Sequence, residues 1–421
     1  MSSASWHRLL YPGLLLFGAS LPLSKSASSI LVVALCLAAC VGAWRSREFR
    51  DDLRRSCRQP LTAALALFSL VAYAGIIHTE VFADGFAVAN KFVSLPVIYV
   101  LVSLLLESNR DEETINRKAT ALLVSFLIGL TALDLVGAAT FLGLTGAGRF
   151  ATPLSPLGMH HIWFSNINAI GLYTAAALLL FPRRGAAAKG RLALLAFLPL
   201  AALCILLSTS RTAWFGIVLT AAILAAVMIR KMKPVLFLGL FSLLACALTY
   251  QFVPLVHERI DTMALDLVLF AADQKPGSSI GDRLFMWRAA LLMFQQGPVI
   301  GIGTGDYYPA VVAWNAGLLL PDSLMAFNQP HNMYLFSLAT NGLVGLAALL
   351  YIFYRSLACV VPIVRADGGG NLFAFLALAT VAHFMIAGFF DSFFHIQILR
   401  YSFAFIMGVC LRSSANRPRR P

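Results

Sequence analysis

The chain has 421 residues, 59% of them hydrophobic and 12% charged, with a formal net charge of +13. Soluble domains are nearer half apolar and a quarter charged. Apolar runs of roughly 17–25 residues, the length that crosses about 30 Å of hydrocarbon, recur from end to end, which excludes a soluble enzyme.

Twelve spans are predicted in chain order, at 9–24, 28–44, 61–78, 88–106, 119–137, 161–181, 192–208, 212–229, 234–253, 332–354, 371–390 and 395–411. The expected fold is an all-α polytopic integral membrane protein. The first run lacks a small-residue cleavage pattern followed by a soluble domain, so it reads as a retained helix and not a signal peptide. With the N-terminus inside, 23 of the 32 Lys and Arg fall on the inner side, most densely in 45–58. The other nine are Lys25, Lys91, Arg149, Arg211, Arg259, Lys275, Arg283, Arg288 and Arg400. Basic residues gather on the cytoplasmic side of membrane proteins, so both termini are expected in the cytoplasm. The excess charge orients the chain and meets anionic membrane lipid; no nucleic-acid partner is implied.

The seven cysteines fall in spans or in or next to inner loops, and none in an external loop, so no disulfide framework is expected. No Cys/His spacing suits a metal, and adjacent His160 and His161 point different ways on a helix. Neither metal nor cofactor is expected.

Four units follow: a nine-helix region 1–253, an external loop 254–331, a three-helix region 332–411 and a basic tail 412–421. To residue 330 the loop carries seven carboxylates against Arg259, Lys275, Arg283 and Arg288, so it is acidic in a basic protein. Long structureless loops are uncommon unless functional, and this one has helical patterning. Ile260, Met263, Leu267 and Phe270 recur at three-to-four spacing, as do apolar residues through 282–296, with Asp282 placed to cap the second helix. Two helices are expected at the membrane surface as a lid, Trp287 lying at headgroup level. A glycine-rich turn, "GPVIGIGTGDYYP", follows at 297–309. Without a preceding strand its GxGxG is a weak dinucleotide signal, although a loop of backbone amides is suited to phosphate.

Charged groups near membrane depth rarely face lipid. Arg211 lies in "LLSTSRTAWFG", at the turn between the seventh and eighth spans, and Lys91 opens the fourth span. Arg283 and Arg288 are five apart on the lid helix, about 140° net, so they do not share a face; Arg283 and Trp287, four apart, do. Arg283 is therefore the inward group. Guanidinium holds phosphate through parallel hydrogen bonds, so two arginines from separate segments suit a diphosphate clamp; the plainer reading is lipid headgroups or loop carboxylates. Lys91 reads first as a snorkelling anchor. His331 follows Pro330, which disfavours helix at Gln329; its imidazole suits a general base or, more plainly, a helix cap.

Four segments, "STSRTAWFG" (208–216), "RLFMWRAA" (283–290), "GIGTGDYY" (301–308) and "HNMYLFSLATNGLVGLAAL" (331–349), occur in that order. Together they resemble the O-antigen ligase and polymerase superfamily of bacterial inner-membrane glycosyltransferases. The resemblance implies twelve spans with one large periplasmic loop late in the chain. It implies transfer of O-antigen from undecaprenyl diphosphate to a sugar hydroxyl of lipid A-core, without metal or nucleotide sugar and with inversion. The family's essential residues map onto Arg211, Arg283 and His331. Arg288 and Lys91 find no firm match and stand as secondary substrate-binding candidates. An O-antigen polymerase and a protein O-oligosaccharyltransferase are the near alternatives. A lipid transporter is the distant one; it predicts paired broken helices and polar groups at the midplane.

Overall fold

The computed structural model describes residues 3–107, 111–145, 152–182, 188–228, 279–318, 327–366 and 371–415, with 244, 247, 250–252 and 254–272. Among them every regular element is helical. The helices are α1 (Ser3–Ser20), α2 (Lys25–Arg45), α3 (Arg47–Cys57), α4 (Pro60–Ala74), α5 (Phe82–Glu107), α6 (Glu112–Phe141), α7 (His161–Leu180) and α8 (Ala188–Leu207). They continue as α9 (Arg211–Met228), α10 (Pro254–Ala271), α11 (Ser279–Gln296), α12 (Tyr307–Leu318), α13 (Met333–Ala366), α14 (Leu372–Ala387) and α15 (Gln397–Ala415).

Among the described residues eight helices are long and apolar enough to cross a membrane: α2, α4 with its following turn, α5 to α9, and α13. Each coincides with an expected span, and the chain is an all-helical integral membrane protein. Spans 9–24 and 395–411 are helical, as α1 and α15. Span 371–390 is the 16-residue apolar α14. The expected span 234–253 lies largely outside the described residues.

Three stretches are more helical than their sequence pattern suggests. Segment 45–58 forms α3, because the Ser46 hydroxyl accepts the Phe49 amide (3.3 Å) and Phe49 is fully buried, giving a charged helix one anchored face. A helix, α12, follows the glycine-rich turn. The tenth expected span continues to Ala366, through Pro362. Asp282 does not cap α11; it lies inside the first turn, where a carboxylate still meets the positive end of the helix dipole.

The most enclosed helices are α14 and α15. α14 is apolar almost all round, as a helix buried on every side must be, whereas α15 buries Arg400 and Ser402 among its apolar residues. α14 packs against α9, α13, α15 and α7, and α15 against α5, α14, α6 and α7. Polar groups on these walls are tied to each other: His383 bonds Asn166 Oδ1 (Nε2, 3.0 Å) and the Tyr173 hydroxyl (Nδ1, 3.0 Å). The helix α11 rests on α13, and α10 reaches α11 through an edge contact of Phe270 with Phe285 at 5.3 Å.

The glycine-rich turn is locked into a break in α13. Gly342 interrupts that helix at φ 61°, ψ −156°. The amides of Ile302 and Gly303 donate to the carbonyls of Ala339 and Thr340 (3.0 and 3.1 Å), and those of Leu343 and Val344 donate to Pro298 and Val299 (2.9 and 3.1 Å). A Cβ on Gly301 would lie 2.3 Å from the Thr340 backbone, and one on Gly342 would lie 2.4 Å from Val299. Two backbones therefore pass where only glycine fits.

Candidate active site

The Pro-His step lies between α11 and the start of α13. Trp287 donates its indole N–H to the Pro330 carbonyl (3.1 Å), latching α11 to this turn. His331 takes φ 47°, a left-handed conformation that costs a side-chain-bearing residue. Asn332, not His331, caps α13: its Oδ1 accepts the amides of Tyr334 and Leu335, both at 3.0 Å. Met333 N–H donates to the Gly388 carbonyl (2.8 Å), and the Tyr334 hydroxyl to Met385 (2.7 Å). The start of α13 is thereby fixed to the end of α14, and His331 is released from any capping duty.

The turn after α14 supplies the partner. Asp391 is fully buried, and its Oδ1 lies 3.0 Å from His331 Nδ1. The same oxygen accepts the Ser392 amide at 2.8 Å and the Gln329 amide group at 3.4 Å. Burial alone would push this carboxyl up. The charge and hydrogen bond of His331, the Arg283 guanidinium and the Ser392 amide outweigh it and hold Asp391 below the usual carboxylate range. An ionised Asp391 can only accept, so in the neutral ring of His331 the proton sits on Nδ1 and Nε2 keeps its lone pair. Asp391 Oδ2 is buried with no hydrogen-bond partner.

Arg283 is half-buried on α11, whereas Arg288 is exposed on the same helix. Burial lowers the pKa of Arg283 and Asp391 opposes that shift; guanidinium remains charged regardless. Among the described residues no carboxylate lies within 4 Å of Arg283, the ion pair here being His331 with Asp391. His160, just ahead of α7, feels the same cluster. Burial lowers its pKa; Asp391 opposes this, while His331 and Arg283 add to it. Against the expectation that the two point different ways, its ring stacks on His161 at 4.4 Å, because His160 is the residue before the helix and not part of it.

Arg211 is the half-buried first residue of α9, after a turn in which Thr209 takes φ 53°. One turn on, Phe215 stacks on Phe390, the neighbour of Asp391, at 6.3 Å. Arg211 is thus brought to the same end of the bundle. Lys91 lies apart: its Nζ is 2.8 Å from His395 Nε2, and Arg400 nearby binds Ser94 Oγ (2.8 Å) and the Phe394 carbonyl (2.7 Å). Burial, then Lys91 and Arg400, push His395 down to about 3, with Asp391 in partial opposition. The glycine-rich turn is not a phosphate cradle. Its amides at 301–304 and 306 all donate to protein carbonyls, those of Gly297, Ala339, Thr340, Gly75 and Gly303. Asp306 is likewise spent, on the Thr79 hydroxyl and the Glu80 amide.

Asp391 was missed by sequence reasoning, as were Gln329 and Asn332 as its neighbours and supports. A signal for Asp391 existed: it is the sole acid between Asp367 and the C-terminus, at an expected external turn.

Comparison with known proteins bears on the same region. Residues 194–350 match the O-antigen ligase family. An uncharacterized protein of Haemophilus influenzae is 25% identical over 149 residues, which are 35% of this chain and 37% of that relative. The similarity therefore spans little more than a third of either protein.

Proposed function

We propose, for a chain that belongs to the O-antigen ligase and polymerase superfamily, that it transfers an O-antigen glycan from undecaprenyl diphosphate to a sugar hydroxyl of lipid A-core at the periplasmic face of the inner membrane. The observation that carries this reading is the His331–Asp391 contact at 3.0 Å beside a half-buried Arg283 with no carboxylate within 4 Å among the described residues.

In the proposed step His331 Nε2 takes the proton of the acceptor hydroxyl. The oxygen attacks the anomeric carbon of the donor sugar from the face opposite the diphosphate. The new C–O bond forms as the C–O bond to phosphate breaks, and the electron pair leaves on undecaprenyl diphosphate. Arg283, with Arg211 from α9, offsets the charge gathering on that leaving group. Asp391 holds the imidazole in the working tautomer and offsets its positive charge after proton transfer, the part an orienting carboxylate plays in acid–base pairs. Both substrates are lipid-anchored, which suits a charged pocket where the helix ends meet the headgroups. The helices α10 and α11 serve as its cover.

The test is reconstitution of the purified protein in vesicles with a glycan on undecaprenyl diphosphate and, in separate arms, lipid A-core or a second lipid-linked chain. Product on lipid A-core alone supports a ligase. Elongation of the second chain makes the protein a polymerase, with the same residues in the same roles. No product in either arm overturns the transferase reading.

A further inference from the structure

We propose that a second site, at the opposite end of the bundle, binds the headgroup of an ethanolamine phospholipid: its primary ammonium among the carboxylates of α3 and His7, its phosphodiester against Lys118 and Arg8. The site is a cavity of about 530 Å³ between the start of α1, one face of α3, the end of α5 and the first turns of α6. That volume falls in the roughly 300–1,000 Å³ typical of small-molecule sites. Glu107, on its wall, is sixteen residues beyond Lys91 on α5, roughly 24 Å along the helix axis, so the cavity is separate from the His331 cluster.

The charge pattern of α3 motivates the ligand. Glu48, Asp51, Asp52 and Arg55 recur at helical spacing and line the cavity. Arg47, Arg50 and Arg54 lie about 90–150° from the centre of that face, and Arg54 reaches back to pair with Asp51 at 3.4 Å. The most basic segment of the chain thus turns all three of its carboxylates toward the cavity, with Arg55 among them. The lining as a whole holds four carboxylates against Arg8, Arg55 and Lys118. A purely anionic headgroup suits the outer face of α3 and not this cavity.

Part of the lining is already committed. Asp52 accepts the Ser3 hydroxyl and His7 Nε2, both at 2.9 Å, and pairs with Arg55. Glu107 pairs with Arg55 at 3.2 Å and Arg412 at 2.9 Å. What remains points to a ligand with both signs. His7 is 2% exposed, lines the cavity, and has no hydrogen-bond partner at Nδ1. Because its Nε2–H is spent on Asp52, Nδ1 in the neutral ring is an acceptor waiting for a donor. An ammonium brings three donors. Among the described residues Lys118 makes no ion pair, its Nζ lying 5.7 Å from the centroid of the Tyr11 ring. That leaves it for a phosphate. No Phe, Tyr or Trp lines the cavity, so the cage that quaternary ammonium groups require is missing, which favours ethanolamine over choline. No group of three or more His, Cys, Asp or Glu among the described residues is placed to hold a metal ion.

The experiment is native mass spectrometry of the full-length protein in mild detergent, titrated with phosphatidylethanolamine, phosphatidylcholine and phosphatidylglycerol of matched chains. Phosphatidylethanolamine should be retained about tenfold better than either, the worth of one charge-assisted hydrogen bond. The double variant Glu48→Gln/Asp51→Asn and the single variant Lys118→Met should each erase that preference, while Arg47→Gln on the outer face keeps it. If Lys118→Met fails to fold, Arg8→Gln takes its place. Equal retention of the three lipids, preference for phosphatidylglycerol, or a preference that survives the cavity variants would overturn the proposal.

Discussion

Two turns of this protein carry strained backbone, and they have opposite polar balances. The glycine-rich turn at 297–305 meets the α13 break at Gly342, and its amides at 301–304 are all taken by protein carbonyls. The Pro330–His331 turn, also left-handed at φ 47°, spends one imidazole nitrogen on Asp391, and this carboxylate keeps one buried oxygen without a partner among the described residues. A left-handed conformation costs a residue with a side chain of order 1–3 kcal/mol and glycine little. In the first turn glycine lets two hydrogen-bonded backbones approach. In the second His331 bears that cost beside the buried Asp391. Saturation, more than glycine content or a GxGxG pattern, separates the structural turn from the one proposed to react.

Removal of the groups proposed to react should have the largest effect. His331→Ala should lower transfer by about 10²–10⁴-fold, the usual worth of a positioned general base. Arg283→Ala should fall in the same range, as loss of a donor to developing charge does. Both proteins should remain folded in the membrane, checked by gel filtration in detergent beside the glycan-transfer assay. An unchanged rate in His331→Ala sinks its role as base.

The matching cut in the other turn should act on stability. Gly342→Ala places a side chain at φ 61°, ψ −156° with its Cβ 2.4 Å from Val299. That conformation is essentially closed to other residues, so a loss of about 1–3 kcal/mol or more is expected, read as a lower melting temperature and poorer yield. A well-folded Gly342→Ala protein that has lost only transfer would place this turn in the site and dissolve the comparison.

Much of the fold was legible in the sequence, because spans depend on apolar length alone: eight expected spans coincide with long apolar helices. That Arg283 is half-buried and Arg288 exposed agrees with the helical angle between them and the shared face of Arg283 and Trp287. What the sequence hid depends on contacts between distant segments. Asp391 matters because the turn after α14 delivers it to a histidine sixty residues earlier, and no local pattern encodes that. The capping role of Asn332 was hidden by its more reactive neighbour. The glycine-rich turn stayed open as a phosphate contact because sequence shows amides but not the carbonyls that occupy them. Helix α3 was hidden by its charge, since a short polar segment declares itself only through Ser46 and the burial of Phe49.

Asp391→Asn tests whether the carboxylate orients or merely packs. The shape is kept and the charge removed, so transfer should slow by about 10–100-fold, the typical effect of losing an orienting partner, with the change in kcat and little in KM. Stability should part from the parent in a pH-dependent way. Asp391 is held below its ordinary value of 3.8, so its stabilising contribution is full above about pH 4 and is lost as pH falls through the lowered value. The gap in melting temperature between the two proteins should therefore be widest near neutral pH and close under acid. A gap that is constant with pH removes the charge from the explanation.

Arg288→Ala should do least. Its side chain is exposed on the face of α11 turned from the cluster, where substitutions usually stay within about 0.5 kcal/mol, so stability and transfer should both remain close to the parent. Placed beside Arg283→Ala, this measures what a helical offset of about 140° is worth: two arginines on one helix, equal in charge, with only one turned toward Asp391. If Arg288→Ala were as damaging as Arg283→Ala, net positive charge over the site would be what transfer needs, and the directed clamp would give way to a diffuse field. A gap of two orders of magnitude between them ties the function to the one guanidinium that faces the His331–Asp391 pair.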